Sequence, residues 1–277
     1  MARVQPMSRP VRLFWSGGRT SHINYGDTLS PLLVSILSSK KVRFSGTHDC
    51  ELLGIGSILE RYARHRWRRM LTLNFAAVTV WGSGTIEAQS RRPDIGLANI
   101  VSVRGLLTKE KLGLPSSTPV GDPGILADLL LDGKRPGKRY RWGIVPHLND
   151  RNDPKVESLC LRTGSATIIR LDNPDLRFVT NELASCEYIA SSSLHGMIAA
   201  DSLGVPNMRL VAGDRVRGGS WKFDDYASSV PGRTLLTRQL DDALALKDCE
   251  PELTFSYAAD VDRLKDETLK AFRKIGI

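Results

Sequence analysis

Runs of apolar residues alternate with glycine-rich polar breaks in the first half of the chain, and this pattern predicts strands and helices in turn. Residues 11–15 are predicted to form a strand, and the apolar spacing over residues 29–37 predicts a helix. Residues 76–81 and 100–104 are β-rich runs that stop at glycines, and a further predicted helix follows the second run. Strands separated by helices are typical of a parallel α/β domain.

A second series of the same kind follows a polar break at residues 133–139, which holds two glycines and one proline. We therefore predict two α/β domains, residues 1–132 and residues 140–277. The predicted elements of the second domain are strands over 140–145, 167–171, 188–190 and 208–211, a helix around 181–186, and an amphipathic helix over 258–276.

Polar and glycine-rich clusters follow the predicted strands. They are Asn24–Asp27, Gly82–Thr85, Arg104–Gly105, Pro146–His147 and Ser191–Gly196. Because ligands of open parallel sheets bind beyond the carboxyl ends of the strands, two such domains facing each other would bring these clusters into one cleft. The alternative is that each cluster is only a tight turn.

The most informative of these clusters is Ser191–Gly196, in which three serines and a leucine precede His195 and Gly196. The serines can cap the following helix and leave backbone N–H groups free to hold an anion. A histidine beside that anion has a pKa suited to proton transfer near neutrality. The alternative is a capped helix with a partly buried, hydrogen-bonded histidine.

Charge is unevenly distributed in this chain of 277 residues, whose formal net charge is +9. Residues 61–69 hold five arginines and one histidine. Such a stretch can favour nucleic acid, anionic lipid or a phosphorylated substrate, or it can be a solvated helix face. The charges are not interleaved with several stacking aromatics and no recognised nucleic-acid motif is visible, so we expect no nucleic-acid partner.

No apolar run is long enough to span a bilayer, and residues 1–10 lack the apolar core of a signal peptide. We expect a cytoplasmic protein, with a possible peripheral contact to the cytosolic face of the inner membrane through residues 61–69. The four cysteines lie far apart and form no CxxC pair, so we predict neither a zinc site nor any other metal site.

Taken together, the ordered motifs resemble the polysaccharide pyruvyl transferase family, and most closely its bacterial exopolysaccharide branch. The motifs that carry the resemblance are Asn24-Tyr-Gly-Asp27, Gly82-Ser-Gly-Thr85, Val103-Arg-Gly105, Gly121-Asp-Pro123, Pro146-His147 and Ser193-Leu-His-Gly196 with Gly204-Val-Pro206. The resemblance implies two Rossmann-like domains facing across a cleft, similar to GT-B glycosyltransferases. It also implies phosphoenolpyruvate as donor substrate, with no cofactor, and a lipid-linked oligosaccharide acceptor on which a cyclic ketal forms as phosphate leaves.

The resemblance places the acceptor on the N-terminal domain and the donor on the C-terminal domain. His195 is the first choice for the general acid, and His147 is the second acid/base candidate. Asp27 would orient or deprotonate an acceptor hydroxyl, or else cap a helix that starts near Thr28. Arg104 would grip the donor's carboxylate or phosphate through its planar guanidinium. The remaining predicted substrate-binding residues are Asn24, Gly82, Ser83, Gly84, Thr85, Ser193, Leu194 and Gly196.

Ser193 departs from the family pattern, because many members carry arginine at that place. The missing cation is expected from Arg209, Arg215 or Arg217. Architecture alone does not separate a pyruvyl transferase from a GT-B-like glycosyltransferase that uses a nucleotide sugar. A basic protein that binds membrane or nucleic acid is the non-enzymatic alternative.

Overall fold

The computed structural model describes residues 9–18, 23–89, 91–213, 218–241 and 244–277, and its strands form two parallel sheets of five. The first sheet contains β1 Val11–Phe14, β2 Val42–Phe44, β3 Leu52–Leu53, β4 Thr79–Ser83 and β5 Asn99–Val103. The second sheet contains β6 Tyr140–Val145, β7 Ala166–Ile168, β8 Cys186–Ser191, β9 Asn207–Val211 and β10 Thr237–Gln239. The predicted α/β class with two parallel series of strands is confirmed.

Both sheets have the same strand order. The order is β2-β1-β3-β4-β5 in the first sheet and β7-β6-β8-β9-β10 in the second. Strand order therefore reverses between β1 and β3 and again between β6 and β8. In doubly wound sheets a ligand binds beyond the carboxyl ends of the strands at such a switch point.

The helices lie between and around the strands. They are α1 Tyr25–Ser38, α2 Leu59–His65, α3 Arg68–Leu71, α4 Leu106–Lys111, α5 Pro154–Thr163, α6 Leu176–Ala184, α7 Leu194–Ser202, α8 Trp221–Ala227 and α9 Ala258–Arg273, with 3₁₀ segments at Pro123–Leu131 and Leu246–Glu252. Asn24, Asp153 and Asp175 cap three of the helices by accepting a backbone N–H in the first turn. Within the described residues, no helix is both long and apolar enough to cross a bilayer.

One continuous apolar cluster joins the two halves. It includes Leu33 of α1, Ile125 of the first 3₁₀ segment, Ile198 of α7 and Leu264 of α9. Polar contacts reinforce it, since the Tyr25 N–H donates to the Leu171 carbonyl at 2.8 Å and the Tyr25 hydroxyl lies 2.8 Å from that of Thr180. The halves are therefore packed directly against each other.

The amphipathic helix predicted over 258–276 is present as α9, but it packs on the first sheet rather than on the second. Its partners there are β4, β5 and the 3₁₀ segment Pro123–Leu131. The Trp81 indole donates to the Thr268 carbonyl at 3.1 Å, and its ring lies 4.8 Å from that of Phe272. The reason is burial: α9 turns Val261, Leu264 and Phe272 into the shared apolar cluster.

Candidate active site

Loops after β1, β3, β6 and β8, at both switch points, converge on one cavity of about 230 Å³. Its lining residues are Ser16, Asn24, Asp27, Gly56, Ser57, Ile58, Ile86, His147, Asn149, Ser193, Leu194, His195 and Lys222. The structure therefore brings together six of the residues predicted for the site. These are Asn24, Asp27, His147, Ser193, Leu194 and His195.

His195 lies in the first turn of α7 and packs against the first turn of α1. A Cβ on Gly26 would overlap the imidazole ring, so this close approach requires glycine. Burial lowers the pKa of His195 to about 3, and the nearby charges of Lys222 and Arg104 act in the same direction. The expected pKa near neutrality is therefore wrong for this surrounding, and the ring is neutral at pH 7.

The N-terminus of α7 borders this cavity through Ser193, Leu194 and His195, and the first-turn N–H groups of a helix have no intrahelical partners. Ser193 is the N-cap residue, but its hydroxyl makes no capping hydrogen bond. The two preceding serines support the turn instead. Ser191 Oγ accepts the Ser193 N–H at 3.0 Å, and Ser192 Oγ accepts the His147 N–H at 2.8 Å. Ser191 thus holds the turn that leads to His195, and Ser192 holds the loop that carries His147.

Asp27 lies in the first turn of α1, where Asn24 is the cap. The Asn24 side chain accepts the Gly26 N–H at 3.3 Å. The alternative role of Asp27 as the cap of a helix starting near Thr28 is therefore wrong. Burial raises the pKa of Asp27 to about 7, against the opposing charges of Arg61 and Lys222. Its carboxyl group is poised to exchange a proton near neutral pH.

Lys222, in the first turn of α8, lines the cavity and was not found by sequence reasoning. Burial lowers its pKa to about 8, and repulsion from Arg104 and Arg209 adds to this effect. Lys222 therefore places one cation in the cavity, whereas Arg209, one of the three arginines expected to supply a cation, is absent from the lining residues. The Arg209 guanidinium lies 4.2 Å from the Phe223 ring centroid, and residues 215 and 217 lie outside the described residues.

His147 also lines the cavity, and burial together with the charge of Lys222 lowers its pKa. Its Nδ1 accepts the Asn149 N–H at 3.2 Å, and the ring is therefore held by its own loop. Both predicted histidines are present in the cavity and both have pKa values displaced towards the neutral form.

Arg104 is fully buried beneath the cavity and is absent from its lining residues. Its guanidinium donates to Asp225 at 2.8 Å, to the Ser57 hydroxyl at 2.6 Å and to the Thr85 carbonyl at 2.6 Å. Gly84 leaves the room that the guanidinium occupies, since a Cβ there would overlap it. Instead of projecting into the cavity, Arg104 ties helix α8 of the second half to the Ser57 loop of the first half.

The predicted substrate-binding segment Gly82–Thr85 also lies outside the cavity lining, and its members contact the protein interior. Gly82 packs against Pro123, and the Ser83 hydroxyl donates to the Gly54 carbonyl. Thr85 accepts the Trp221 indole N–H at 3.1 Å and thereby holds α8. Gly196 likewise packs on Ser191 and Val145 of the second sheet. Their position contradicts direct contact with a ligand in this cavity.

A second, larger pocket of about 460 Å³ adjoins the cavity and shares Ser16, Asn24 and Asp27 with it. Its wall has aromatic and basic side chains. These include Phe14, Trp15, Phe44, His48, Arg61, His65 and Arg68. Flat aromatic faces suit the apolar faces of sugar rings, and guanidinium groups suit phosphate. In the part of the chain that the structure describes, no cluster of three or more His, Cys, Asp or Glu side chains could hold a metal ion.

A profile of the family described as polysaccharide pyruvyl transferase matches residues 24–212. The chain is 26% identical over 212 residues to the succinoglycan biosynthesis protein ExoV of Rhizobium meliloti. This alignment covers 76% of this chain and 63% of that protein. An uncharacterised protein of Acanthamoeba polyphaga mimivirus is 36% identical over 115 residues, or 41% of this chain and 40% of that protein. The match spans less than two thirds of either relative.

A crystal structure of a functionally uncharacterised Klebsiella pneumoniae protein superposes with a TM-score of 0.46 at 14% identity. The superposition covers 82% of this chain and 93% of that chain.

Proposed function

The chain belongs to the polysaccharide pyruvyl transferase family, and we propose that it moves the enolpyruvyl group of phosphoenolpyruvate onto a sugar of an exopolysaccharide repeat unit. The product is a cyclic ketal, and phosphate is released. The observation that carries this proposal is the convergence of Lys222, Asp27, His195 and the first turn of α7 on one small cavity. Phosphoenolpyruvate is a compact multiple anion, which a buried ammonium and backbone N–H groups suit.

The reaction needs two hydroxyls of the acceptor sugar. The first oxygen bonds to C2 of the donor while the methylene carbon C3 gains a proton and becomes a methyl group. The second oxygen then bonds to C2, the bond from C2 to the phosphate oxygen breaks, and phosphate leaves. Each hydroxyl loses its proton: one of those protons balances the proton gained at C3, and the other leaves on the released phosphate. Acid and base groups are therefore needed on both sides of C2.

We assign proton donation at C3 to His195 and proton removal from the acceptor hydroxyl to Asp27. A neutral His195 is no acid, but a phosphate beside the ring raises its pKa, because the anion favours the imidazolium form. Asp27 has a pKa of about 7 and accepts a proton under the same conditions. His147 is the second acid/base group, and Lys222 neutralises the leaving phosphate.

We place the acceptor in the larger pocket next to Asp27. Trp15 and Phe44 offer faces to a sugar ring, while Arg61 and Arg68 suit the diphosphate of a lipid-linked oligosaccharide. All lining residues of this pocket except Leu148 come from the N-terminal half, which supports acceptor binding by that half. The two facing sheets would then act as the halves of a GT-B-like enzyme.

The test measures phosphate release from phosphoenolpyruvate by the full chain, with lipid-linked repeat unit from the source strain as acceptor. We expect release only when both substrates are present, and a thermal shift with phosphoenolpyruvate but not with nucleoside diphosphates. Stabilisation by a nucleoside diphosphate alone would instead indicate a glycosyltransferase.

His195→Ala should lower turnover by ~10²–10⁴-fold with its melting temperature retained. His195→Gln fills much of the same space and keeps an N–H donor, but it cannot carry the proton, so it should be equally slow. Turnover within a few-fold of wild type in either folded variant removes His195 from the mechanism.

A further inference from the structure

Six large exposed apolar side chains, which we name the apolar knob, lie at residues 67–75 and 97, and Met70, Phe75 and Leu97 line one surface pocket. Its six residues are between 53% and 94% exposed. They are Trp67, Met70, Leu71, Leu73, Phe75 and Leu97. Only four other large hydrophobic residues of the described chain are comparably exposed, and they are scattered over Ile36, Leu106, Leu161 and Phe178. A patch of this kind marks an interaction surface.

The knob is held by specific contacts at its base. Arg69 is buried beneath it, and its guanidinium donates to the Cys50 carbonyl at 2.9 Å and to the Ala76 carbonyl at 2.7 Å. Leu73 has φ +49°, so the chain reverses there, and the Asn74 N–H donates to the Arg69 carbonyl at 2.9 Å. These contacts fix the backbone of the segment while its apolar side chains remain exposed to solvent.

Positive charge lies on the helices α2 and α3, next to the first residues of the knob. Arg61, Arg64 and Arg68 are exposed on the adjoining helices. Residues 61–86 contain no aspartate or glutamate. Arg66 forms an ion pair with Asp94, and Arg69 is buried, so neither adds a free surface charge as the sequence pattern had implied. Three arginines are thus left to face an anionic partner.

We infer that the knob inserts into the interface of an anionic lipid bilayer while Arg61, Arg64 and Arg68 contact the headgroups. Apolar side chains inside a cationic rim are typical of surfaces that lie in a membrane interface. An acidic protein groove would match the charge, but the exposed apolar side chains favour the lipid. Arg61 and Arg68 also line the larger pocket, so the bilayer would lie beside it. The suggestion that a lipid-linked acceptor enters from this side rests on the proposed function.

The test is sedimentation of the full chain with vesicles of phosphatidylcholine alone or with 30 mol% phosphatidylglycerol, added as a probe of anionic lipid. No donor or acceptor substrate is present, so the result does not depend on catalysis. The knob variant is Leu73→Gln with Phe75→Gln, and the matched control is Leu161→Gln with Phe178→Gln. Both pairs exchange one exposed leucine and one exposed phenylalanine.

We expect wild type and the control pair to bind anionic vesicles, and the knob pair to bind at least tenfold more weakly. Arg64→Gln should weaken binding to anionic vesicles by about fivefold, equivalent to ~1 kcal/mol for one basic residue, without affecting neutral vesicles. Wild type that stays in the supernatant with anionic vesicles overturns the inference, as does a knob pair that binds like wild type.

Analytical ultracentrifugation provides the remaining outcome. A wild-type dimer that the knob pair dissociates, without vesicle binding, would show that a second copy of the chain covers the knob and would overturn the inference. Both pairs should keep the thermal shift with phosphoenolpyruvate. Loss of vesicle binding with this shift retained then concerns the membrane surface alone, and failure of the proposed function would appear as loss of the shift.

Discussion

Replacing Lys222 by methionine tests the assignment of the donor site most directly. The change removes the ammonium and keeps a long apolar side chain. The pKa of Lys222 is lowered from its ordinary value of 10.5 to about 8, and burial is the main cause. Each pKa step is worth ~1.4 kcal/mol, so the surroundings disfavour the ammonium by roughly 3 kcal/mol. An anionic donor would offset this penalty.

Binding and stability should therefore change in opposite directions in Lys222→Met. Loss of a hydrogen bond to a charged group costs ~1.5–3 kcal/mol, so affinity for phosphoenolpyruvate should fall ~10–150-fold. Thermal stability at pH 7 should rise or stay constant. The folded protein binds fewer protons than the unfolded chain between pH 8 and 10.5, so wild-type stability rises across that window and the difference from the variant closes.

Isothermal titration with phosphoenolpyruvate and thermal denaturation across pH are the assays. Lys270→Met, on the exposed face of α9, is the matched control and should change neither quantity. Lys222→Arg should keep its donor affinity above pH 8, where wild type loses it, because guanidinium stays charged. A Lys222→Met affinity within threefold of wild type would refute the assignment of Lys222 to the donor.

Two further predictions concern Asp27 and Arg104. In wild type, kcat/KM should fall as pH drops below about 7, because protonation removes the Asp27 carboxylate. Asp27→Asn should be slower and should lose this fall at acidic pH. If the variant shows the same fall, a group other than Asp27 causes it. Asp27→Asn should also be more stable than wild type above pH 7, since the raised pKa means that ionisation destabilises the folded protein. Arg104→Met leaves Asp225 buried without its cation and should cost about 3–5 kcal/mol in urea unfolding. If Arg104→Met keeps its stability but loses affinity for phosphoenolpyruvate, Arg104 binds the donor as the sequence predicted.

The sequence predicted the strand and helix series because burial imposes periodicity along the chain. The runs over 76–81 and 100–104 correspond to β4 and β5, each displaced by one to three residues. β2 is only three residues long and has a charged centre, Arg43, so no apolar run marked it. Periodicity also identified the buried face of α9, but it carries no information about which sheet covers that face.

The candidate site was predicted where a motif and a strand end coincide, as at His195, His147 and Asp27. The prediction of a residue's role was wrong where a partner distant in sequence determines the position of its side chain. Arg104 stands at a strand end, but Asp225, 121 residues later, draws the guanidinium into the interior. Lys222 was missed because the glycine-containing stretch between β9 and α8 was not counted among the strand-end clusters. Its position in the cavity also depends on how α8 docks on the first half.

The crossing of α9 back to the first sheet has a consequence for synthesis of the protein on the ribosome. About 155 residues separate Val103, the end of β5, from Ala258, where α9 begins. At ~5–20 residues per second, roughly 8 to 30 s pass before α9 is made. During that time the Trp81 ring lacks its contact with Phe272, and the apolar face of the first sheet stays accessible to chaperones. The first half of this protein is therefore made first but receives the α9 part of its apolar cluster last.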